Sequence, residues 1–372
     1  MAKKILIVGG AGFIGSHLAD ELLASGHHVR LLDSLDPQVH GIGASRPKYL
    51  SRDVELIVDD VRNASAVERA LAGMDIVFHL AAAVGVGQSM YEISRYTSVN
   101  ALGTAVLLES ALKRPIERLI VASSMSIYGE GLYRNGRNEA VAPAGRILPR
   151  LRVRKWELSD ESGAALTPIP TPESKLPHPS SIYALLKYNQ ERTCLCIGEA
   201  YGIPTVALRF FNVFGSRQAL SNPYTGVMAI FAARLLNDKP PIVYEDGLQL
   251  RDFVSVHDVA QACRLAMRTP EAAGGVFNIG SGQACSVKQL ARRMAQVLGK
   301  QGLRPVATGK YRVGDIRHCF ADISRARSVL GYHPRVTLEE GLAELAGWLE
   351  GQVALDRIQQ ASAELSVRGL AV

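Results

Sequence analysis

The chain has 372 residues, 47% of them hydrophobic and 21% charged, with a formal net charge of +7. That is a globular composition, long enough for one large α/β unit or two lobes. No apolar run approaches the ~18 residues of a membrane span, and Lys3 and Lys4 lead straight into a short strand rather than a secretory core. Five irregularly spaced cysteines suggest reduced thiols in a cytoplasm. The positive charge comes with no base-stacking or groove-reading motif. It reads as solvated surface or attraction for an anionic small substrate, and no nucleic-acid or membrane partner is expected.

In chain order, Ile5–Val8 is expected as a strand, Ile14–Ala24 as a helix and Val29–Leu32 as a second strand. Leu56–Val58, Ile76–Leu80 and Leu119–Ala122 are further short apolar strands, with a helix over Thr104–Lys113. This βαβ rhythm predicts an α/β fold, a Rossmann-type doubly wound parallel sheet that binds ligands at the carboxyl ends of its strands. Residues 129–179 interrupt the rhythm with seven prolines, and Arg150 to Arg154 alternates as a half-exposed strand would. A helix is expected over Ile182–Tyr201, a strand over Thr205–Leu208, then helices over Met228–Asn237 and Val287–Leu298. The expected organisation is a cofactor-binding domain over 1–208 with 252–277 returning to it and 129–179 inserted as a loop or lid. A smaller C-terminal α/β substrate lobe covers mainly 209–350, and 351–372 forms a helix or tail.

Gly9-Gly10-Ala11-Gly12-Phe13-Ile14-Gly15 lies between the first strand and the first helix. Glycines at 9, 12 and 15 permit a tight turn, close approach of a pyrophosphate and packing of the helix on the sheet. Asp33, ending the second strand, can accept from both ribose hydroxyls and repels a 2′-phosphate, so the expected cofactor is NAD rather than NADP. Asp59 or Asp60 after the third strand can reach the adenine amino group. Ala81 and Ala82 let the cofactor lie close, and His79 is expected to be a core hydrogen-bonder rather than a base. Ser124 stands at the carboxyl edge of the sheet. Tyr183 and Lys187 share a helix face at a spacing of four. The lysine charge is expected to lower the phenol toward a base usable near neutral pH.

Together these residues resemble the extended short-chain dehydrogenase/reductase family, specifically its nucleotide-sugar epimerases and dehydratases. The likeness runs over about 4–350 and rests on the glycine turn, Asp60-Val61-Arg62, His79-Leu80-Ala81-Ala82, Asn100, Ser123-Ser124, Tyr128-Gly129, Tyr183 with Lys187, and Arg209 to Gly215. It continues through Arg251-Asp252-Phe253-Val254, Asn278-Ile279-Gly280 and Arg312 with Gly314-Asp315. The resemblance implies an NAD site lined by Phe13, Ile14, Asp33, Asp60, Val61, Leu80, Ala81, Asn100, Ser124, Tyr183, Lys187 and Phe211. It implies a nucleotide-diphosphate sugar held by Asn212, Arg251 and Arg312, with Asp315 on the nucleotide ribose, Tyr244 beside the base, and Ser126 and Val227 as further substrate contacts. A homodimer through the helices near Thr104–Lys113 and Ile182–Tyr201 is also implied.

Within that family Met125 stands where 4,6-dehydratases carry an acidic pair, which disfavours dehydration. Asp33 argues against an NADPH-consuming ketoreductase. The expected reaction is therefore 4-epimerisation, through a transient 4-keto sugar and return of hydride to the opposite face. A dehydratase, a ketoreductase and a non-catalytic nucleotide-binding protein are the alternatives. The 129–179 segment with Trp156-Glu157 resembles that of dTDP-L-rhamnose 4-epimerase-like proteins, which makes dTDP-L-rhamnose the leading substrate among dTDP- and UDP-hexoses. Some relatives place cysteine pairs suited to zinc in that segment. This chain has no cysteine between 129 and 179, and no metal is expected. Cys319, in place of a bulkier side chain, is expected to widen the pocket, and Gly226 to leave out an asparagine contact to the diphosphate.

Overall fold

Seven short strands rich in Ile, Val and Leu bury both faces, the pattern a parallel sheet covered by helices requires. The computed structural model describes residues 2–220, 222, 224, 226–312, 314–352, 356 and 358–371. The strands are β1 (Lys4–Val8), β2 (His28–Asp33), β3 (Glu55–Val58), β4 (Ile76–His79), β5 (Arg118–Ser124), β6 (Thr205–Phe210) and β7 (Val276–Ile279). All pair in parallel in the order β7-β6-β5-β4-β1-β2-β3. Chain order reverses direction at β1, between β2 and β4, and a crevice opens there at the carboxyl edge. Registers align Val8 with His79, Val121 with His79, and Ser124 with Phe210, so Gly9, Leu80 and Ser124 leave the sheet along one edge.

Helices α1 (Phe13–Ala24) and α6 (Val256–Arg268) cover one face of the sheet. The other face carries α2 (Ala64–Leu71), α3 (Gly103–Leu112) and α4 (Ile182–Tyr201). A separate hydrophobic cluster joins α5 (Val227–Leu236), α7 (Val287–Val297) and α8 (Leu338–Leu349) around Phe231, Leu290 and Leu345. Of the tail expected from 351 onward, α9 (Ile358–Val367) forms a helix, while residues 353–355, 357 and 372 lie outside the described residues.

The segment 129–179 differs from the loop expected of it. Leu132–Arg134 pairs antiparallel with both Ala140–Val141 and Thr167–Ile169, over a small core of Tyr133, Leu158 and Leu166. The stretch Arg150 to Arg154 is not a strand. Leu148–Arg152 is a short helix with Pro149 in its first turn, where a fixed φ favours helix initiation. Alternation misled because only Leu151 is buried there, while Arg150 donates to Ser159 Oγ and to the Glu157 carbonyl.

Helix α4 starts at Ser181, whose side chain accepts from the Ala184 N–H at 3.1 Å, and stops at Gly202 in the left-handed region. One stripe of α4 is polar yet buried: Lys187, Gln190 and Glu191. The Glu191 carboxylate accepts from Arg209 Nε at 2.9 Å and Nη2 at 2.7 Å, and its Oε2 also accepts from Ser123 Oγ at 2.7 Å. Arg209 donates onward to Tyr128 Oη at 2.8 Å and to the Glu173 carbonyl, and Tyr128 donates to Asn278 Oδ1. This bidentate pair ties α4 to β5, β6, β7 and the inserted segment. Removing one member leaves the other charged and dry, so Arg209→Leu is expected to cost about 3–5 kcal/mol of unfolding free energy. Urea denaturation measures it, and a loss below about 1 kcal/mol, the worth of an exposed pair, would remove this pair from its structural role.

Candidate functional site

The glycine turn after β1 is shaped by two steric demands. Gly9 has φ +80°, and a Cβ there would lie 2.7 Å from the Ala81 backbone nitrogen. A Cβ on Gly15 would lie 2.5 Å from the Gly9 carbonyl oxygen. These glycines let the turn approach the end of β4 and let α1 pack against the turn. Gly12 differs: its Cβ would meet only the Gly9 oxygen at an ordinary 3.5 Å, so its bareness serves no internal packing. Gly12 is the N-cap of α1, where backbone N–H groups face an anion. That open cradle fits a dinucleotide pyrophosphate.

Asp33, expected at the adenosine end, closes β2. Its Oδ2 accepts from the Ala11 N–H and its Oδ1 from the Leu35 N–H, both at 2.9 Å. His40 lies 3.8 Å from Oδ1, and burial pushes its pKa down, favouring the neutral ring. The carboxylate lies beside a neutral ring, which suits ribose hydroxyls and not a 2′-phosphate. Asp60 is bound by Arg62, accepting on Oδ1 from Nε at 2.8 Å and on Oδ2 from Nη2 at 2.6 Å. Arg62 holds its carboxyl below the usual range, with burial opposing. Val61 is buried against Gly103.

Behind Leu80, Ala81 and Ala82 runs a polar chain that the sequence did not suggest. Lys187 Nζ donates to Gln190 Oε1 at 2.8 Å, and Gln190 Nε2 donates to Thr104 Oγ1 at 3.0 Å and to the Ala81 carbonyl at 3.3 Å. Thr104 donates to the Asn100 carbonyl, and the Asn100 amide bonds both ways with the Ala83 backbone at 2.7 and 3.1 Å. Asn100 is fully buried, so its side chain fixes the strand end. His79 Nε2 lies 2.8 Å from Thr104 Oγ1, and burial lowers its pKa to about 3, so the ring is a neutral structural group. The readable signal was the helical spacing 183, 187, 190 and 194, which puts Gln190 on the Lys187 face.

At the catalytic edge, Ser124 Oγ accepts from the Ser126 hydroxyl at 2.9 Å and its N–H at 3.2 Å, and Met125 is buried between them. Tyr183 stands in the first turn of α4, its N–H donating to Ser89 Oγ at 3.0 Å. Burial raises the phenol pKa, and the contact with the Ser124 hydroxyl opposes that rise. The direction is opposite to the one expected from Lys187. That lysine is itself buried, its pKa pushed down to about 8 by desolvation, and its ammonium is directed to Gln190.

The expected substrate residues gather in two groups. Arg312 donates to Asp315 Oδ2 from Nε at 3.2 Å and Nη2 at 3.0 Å, and its guanidinium lies 4.6 Å from the Tyr244 ring centroid. Arg251 Nη2 is 3.9 Å from Asp315 Oδ1, while its guanidinium also donates to the carbonyls of Leu250, Ile316 and Arg317. Asn212, half-buried, has a buried Oδ1 with no partner among the described residues. Phe211, beside it, is buried and packs near Tyr128. Val227 begins α5 after Gly226, and a Cβ at 226 would lie 3.1 Å from Gln218 Nε2. A side-chain amide therefore stands where the glycine lacks one.

Two readings of this region change. The basic stretch from Arg134 to Lys155 reads as solvated surface, yet the Arg146 side chain is 5% exposed. It pairs with Glu245 at 2.5 Å and donates to the Asp315 carbonyl at 2.6 Å. Arg317, fully buried, donates to Glu157, Glu245 and Asp246. The inserted segment is thus pinned to the Tyr244–Asp315 group by ion pairs. Cys319 is 1% exposed with Sγ 3.9 Å from Thr171 Oγ1, so it packs against that segment rather than widening a pocket.

Comparison with known proteins agrees with this geometry. The model of the NAD dependent epimerase/dehydratase family matches residues 5–147 and 159–280. The dTDP-L-rhamnose 4-epimerase of Burkholderia thailandensis is 39% identical over 361 residues, 95% of this chain and 96% of that protein. The UDP-glucose 4-epimerase of Mycolicibacterium smegmatis is 30% identical over 353 residues, 92% of this chain and 96% of that one. The structure of a UDP-glucuronic acid 4-epimerase from Bacillus cereus with UDP-glucuronic acid and NAD superposes with a TM-score of 0.75 at 29% identity. It covers 94% of this chain and 99% of that one.

The steric contrast within the glycine turn is directly testable. Gly9→Ala is expected to lose about 1–3 kcal/mol of stability through backbone strain and the Ala81 clash. Gly12→Ala should keep its stability to within about 0.5 kcal/mol but bind NAD about tenfold more weakly, because the methyl group enters the pyrophosphate cradle. Denaturation and NAD titration calorimetry read the two effects, and unchanged NAD affinity in Gly12→Ala would contradict the cradle.

Proposed function

This chain belongs to the NAD dependent epimerase/dehydratase family, and from that premise we propose that it is a nucleotide-sugar 4-epimerase that retains its NAD, with dTDP-L-rhamnose as substrate. It is an NAD-dependent enzyme of the epimerase class. The observation that carries the reading is the convergence of the Tyr183 phenol and the Ser124 hydroxyl at the carboxyl edge of the sheet, with Met125 buried next to them.

Bound NAD would supply the hydride acceptor and donor for C4 of the sugar. Tyr183 takes the 4-hydroxyl proton and later returns it. Burial raises the phenol, so the tyrosine holds a proton well and releases it only with help. Ser124, which opposes that rise, is the nearer aid and can donate to the sugar oxygen. Lys187, its pKa pushed down to about 8 by burial, is aimed by Gln190. Ser126 fixes the Ser124 rotamer through their 2.9 Å bond.

Arg251 and Arg312 are the donors for a sugar diphosphate, Asn212 can donate to it from its amide nitrogen, and Tyr244 and Asp315 lie toward the nucleotide. The dTDP-L-rhamnose assignment is supported by the 39% identity to an epimerase of that name. A dehydratase of the same fold is the second reading, and Met125 disfavours it because a thioether moves no protons. Pairing of two copies through α3 and α4 belongs to this proposal, with Leu185 on α4 exposed as such a contact would need.

Incubation with dTDP-L-rhamnose, UDP-glucose, UDP-GlcNAc and UDP-glucuronate without added reductant, followed by proton NMR, is expected to yield a C4-inverted product from the dTDP-sugar. A 4-keto-6-deoxy product would overturn the reading. Tyr183→Phe should lose about 10³-fold or more in turnover while NAD affinity stays within about threefold, since the lost hydroxyl acts on the sugar. A fully active Tyr183→Phe enzyme would sink the mechanism.

A further inference from the structure

The C-terminal helix α9 lies across residues that the proposed site uses at both ends. Leu365 is 5% exposed and packs on Gly87, where a Cβ would come within 3.2 Å of its Cδ2. Gly87 is two residues from Ser89, the hydroxyl that receives the Tyr183 N–H. Glu364 Oε2 accepts from Tyr91 Oη at 2.9 Å and from Tyr224 Oη, and the two phenols are 2.6 Å apart. Tyr224 stands shortly before α5 in sequence. The Arg368 guanidinium stands 4.2 Å from the centroid of the Tyr91 ring. Beyond the turn at Gly369, Ala371 makes an antiparallel backbone bridge with Arg312 and is 8% exposed.

The tail therefore touches the turn beside the catalytic helix, Tyr224 before α5 and the arginine assigned to the diphosphate. These three places are far apart in sequence, and the proposed sugar nucleotide would extend from one to the next. We propose that residues 358–371 are a substrate-binding element, the outer wall of the sugar-nucleotide site, which must leave and return as ligand exchanges. The inference rests on the function proposed above, because Arg312 is one of its diphosphate residues. Its hold on the body is of a kind that can be released. Among the described residues it includes a buried leucine, a carboxylate shared by two phenols, a cation over a ring and the Ala371 bridge, with Tyr91 and Tyr224 only part-buried. Gly87 matters because any larger residue there would push Leu365 out. A wall that sits on Arg312 and Tyr224 slows escape of what lies beneath it, and interactions made only in the bound complex appear in the dissociation rate.

The test compares the full chain, a chain ending at Glu350, and the full-length Leu365→Asp variant, each with NAD. Association and dissociation of dTDP and of UDP are followed by stopped flow. Both altered proteins are expected to release dTDP about tenfold faster than the full chain, with NAD affinity unchanged. Should the shortened chain fail to fold, Leu365→Asp, which keeps the whole sequence, decides. Release rates within about twofold of the full chain in the folded variants would overturn the wall while leaving the function intact. Failure of dTDP and UDP to bind any of the three would overturn both.

Discussion

The buried pair of Glu191 and Arg209 is the constraint on which the site depends. Both side chains are nearly inaccessible, so each would be costly to bury alone. Paired in a bidentate fork, with Ser123 on the carboxylate and Tyr128 on the guanidinium, they become a rigid joint. The joint lies one residue past Gln190 and one turn past Lys187. It fixes the rotation of α4 about its axis, and that rotation decides whether Tyr183 faces the edge where Ser124 leaves β5. Through Tyr128 and Asn278 the same joint reaches β7 and the inserted segment, since Asn278 Nδ2 donates to the Thr171 carbonyl at 2.9 Å.

The proton chemistry follows from what the joint holds dry. A phenol in this setting resists ionisation, and the nearby lysine resists protonation, both because charge is poorly solvated there. At about 8 the lysine still carries its proton at neutral pH, so the site sets an ammonium on the same helix face as a neutral phenol. Gln190, Thr104 and Asn100 supply the fixed dipoles beneath the β4 end, and neutral His79 adds no competing charge. Preorganised dipoles of this kind stabilise a changing charge without rearranging.

The strands, the glycine turn, Asp33 and the Tyr183–Lys187 spacing were legible in the sequence because each is a local pattern whose chemistry does not depend on distant chain. The span of α4, Ile182–Tyr201, belongs to the same class. What was not legible depended on long-range partners. Arg146 belongs to a run of arginines that looks solvated, and only its meeting with Glu245, 99 residues on, makes it a buried anchor. The inserted segment carries proline and polar residues at loop density, and its fold comes from three short strands and the ion pairs around Arg317. Cys319 was misplaced for the same reason: its neighbour Thr171 is 148 residues away. The alternation at Arg150 to Arg154 failed because a five-residue pattern cannot tell a strand from a helix with one buried side.

The central claim is that one carbon of a nucleotide sugar is oxidised and reduced within a single encounter, with Tyr183 moving one proton out and back. Its most direct measurement uses dTDP-L-rhamnose carrying deuterium at C4, turned over by the protein as purified with no cofactor added. The account predicts that the inverted product keeps the deuterium at C4. Loss of the label to solvent, or turnover only when external cofactor is supplied, would contradict it.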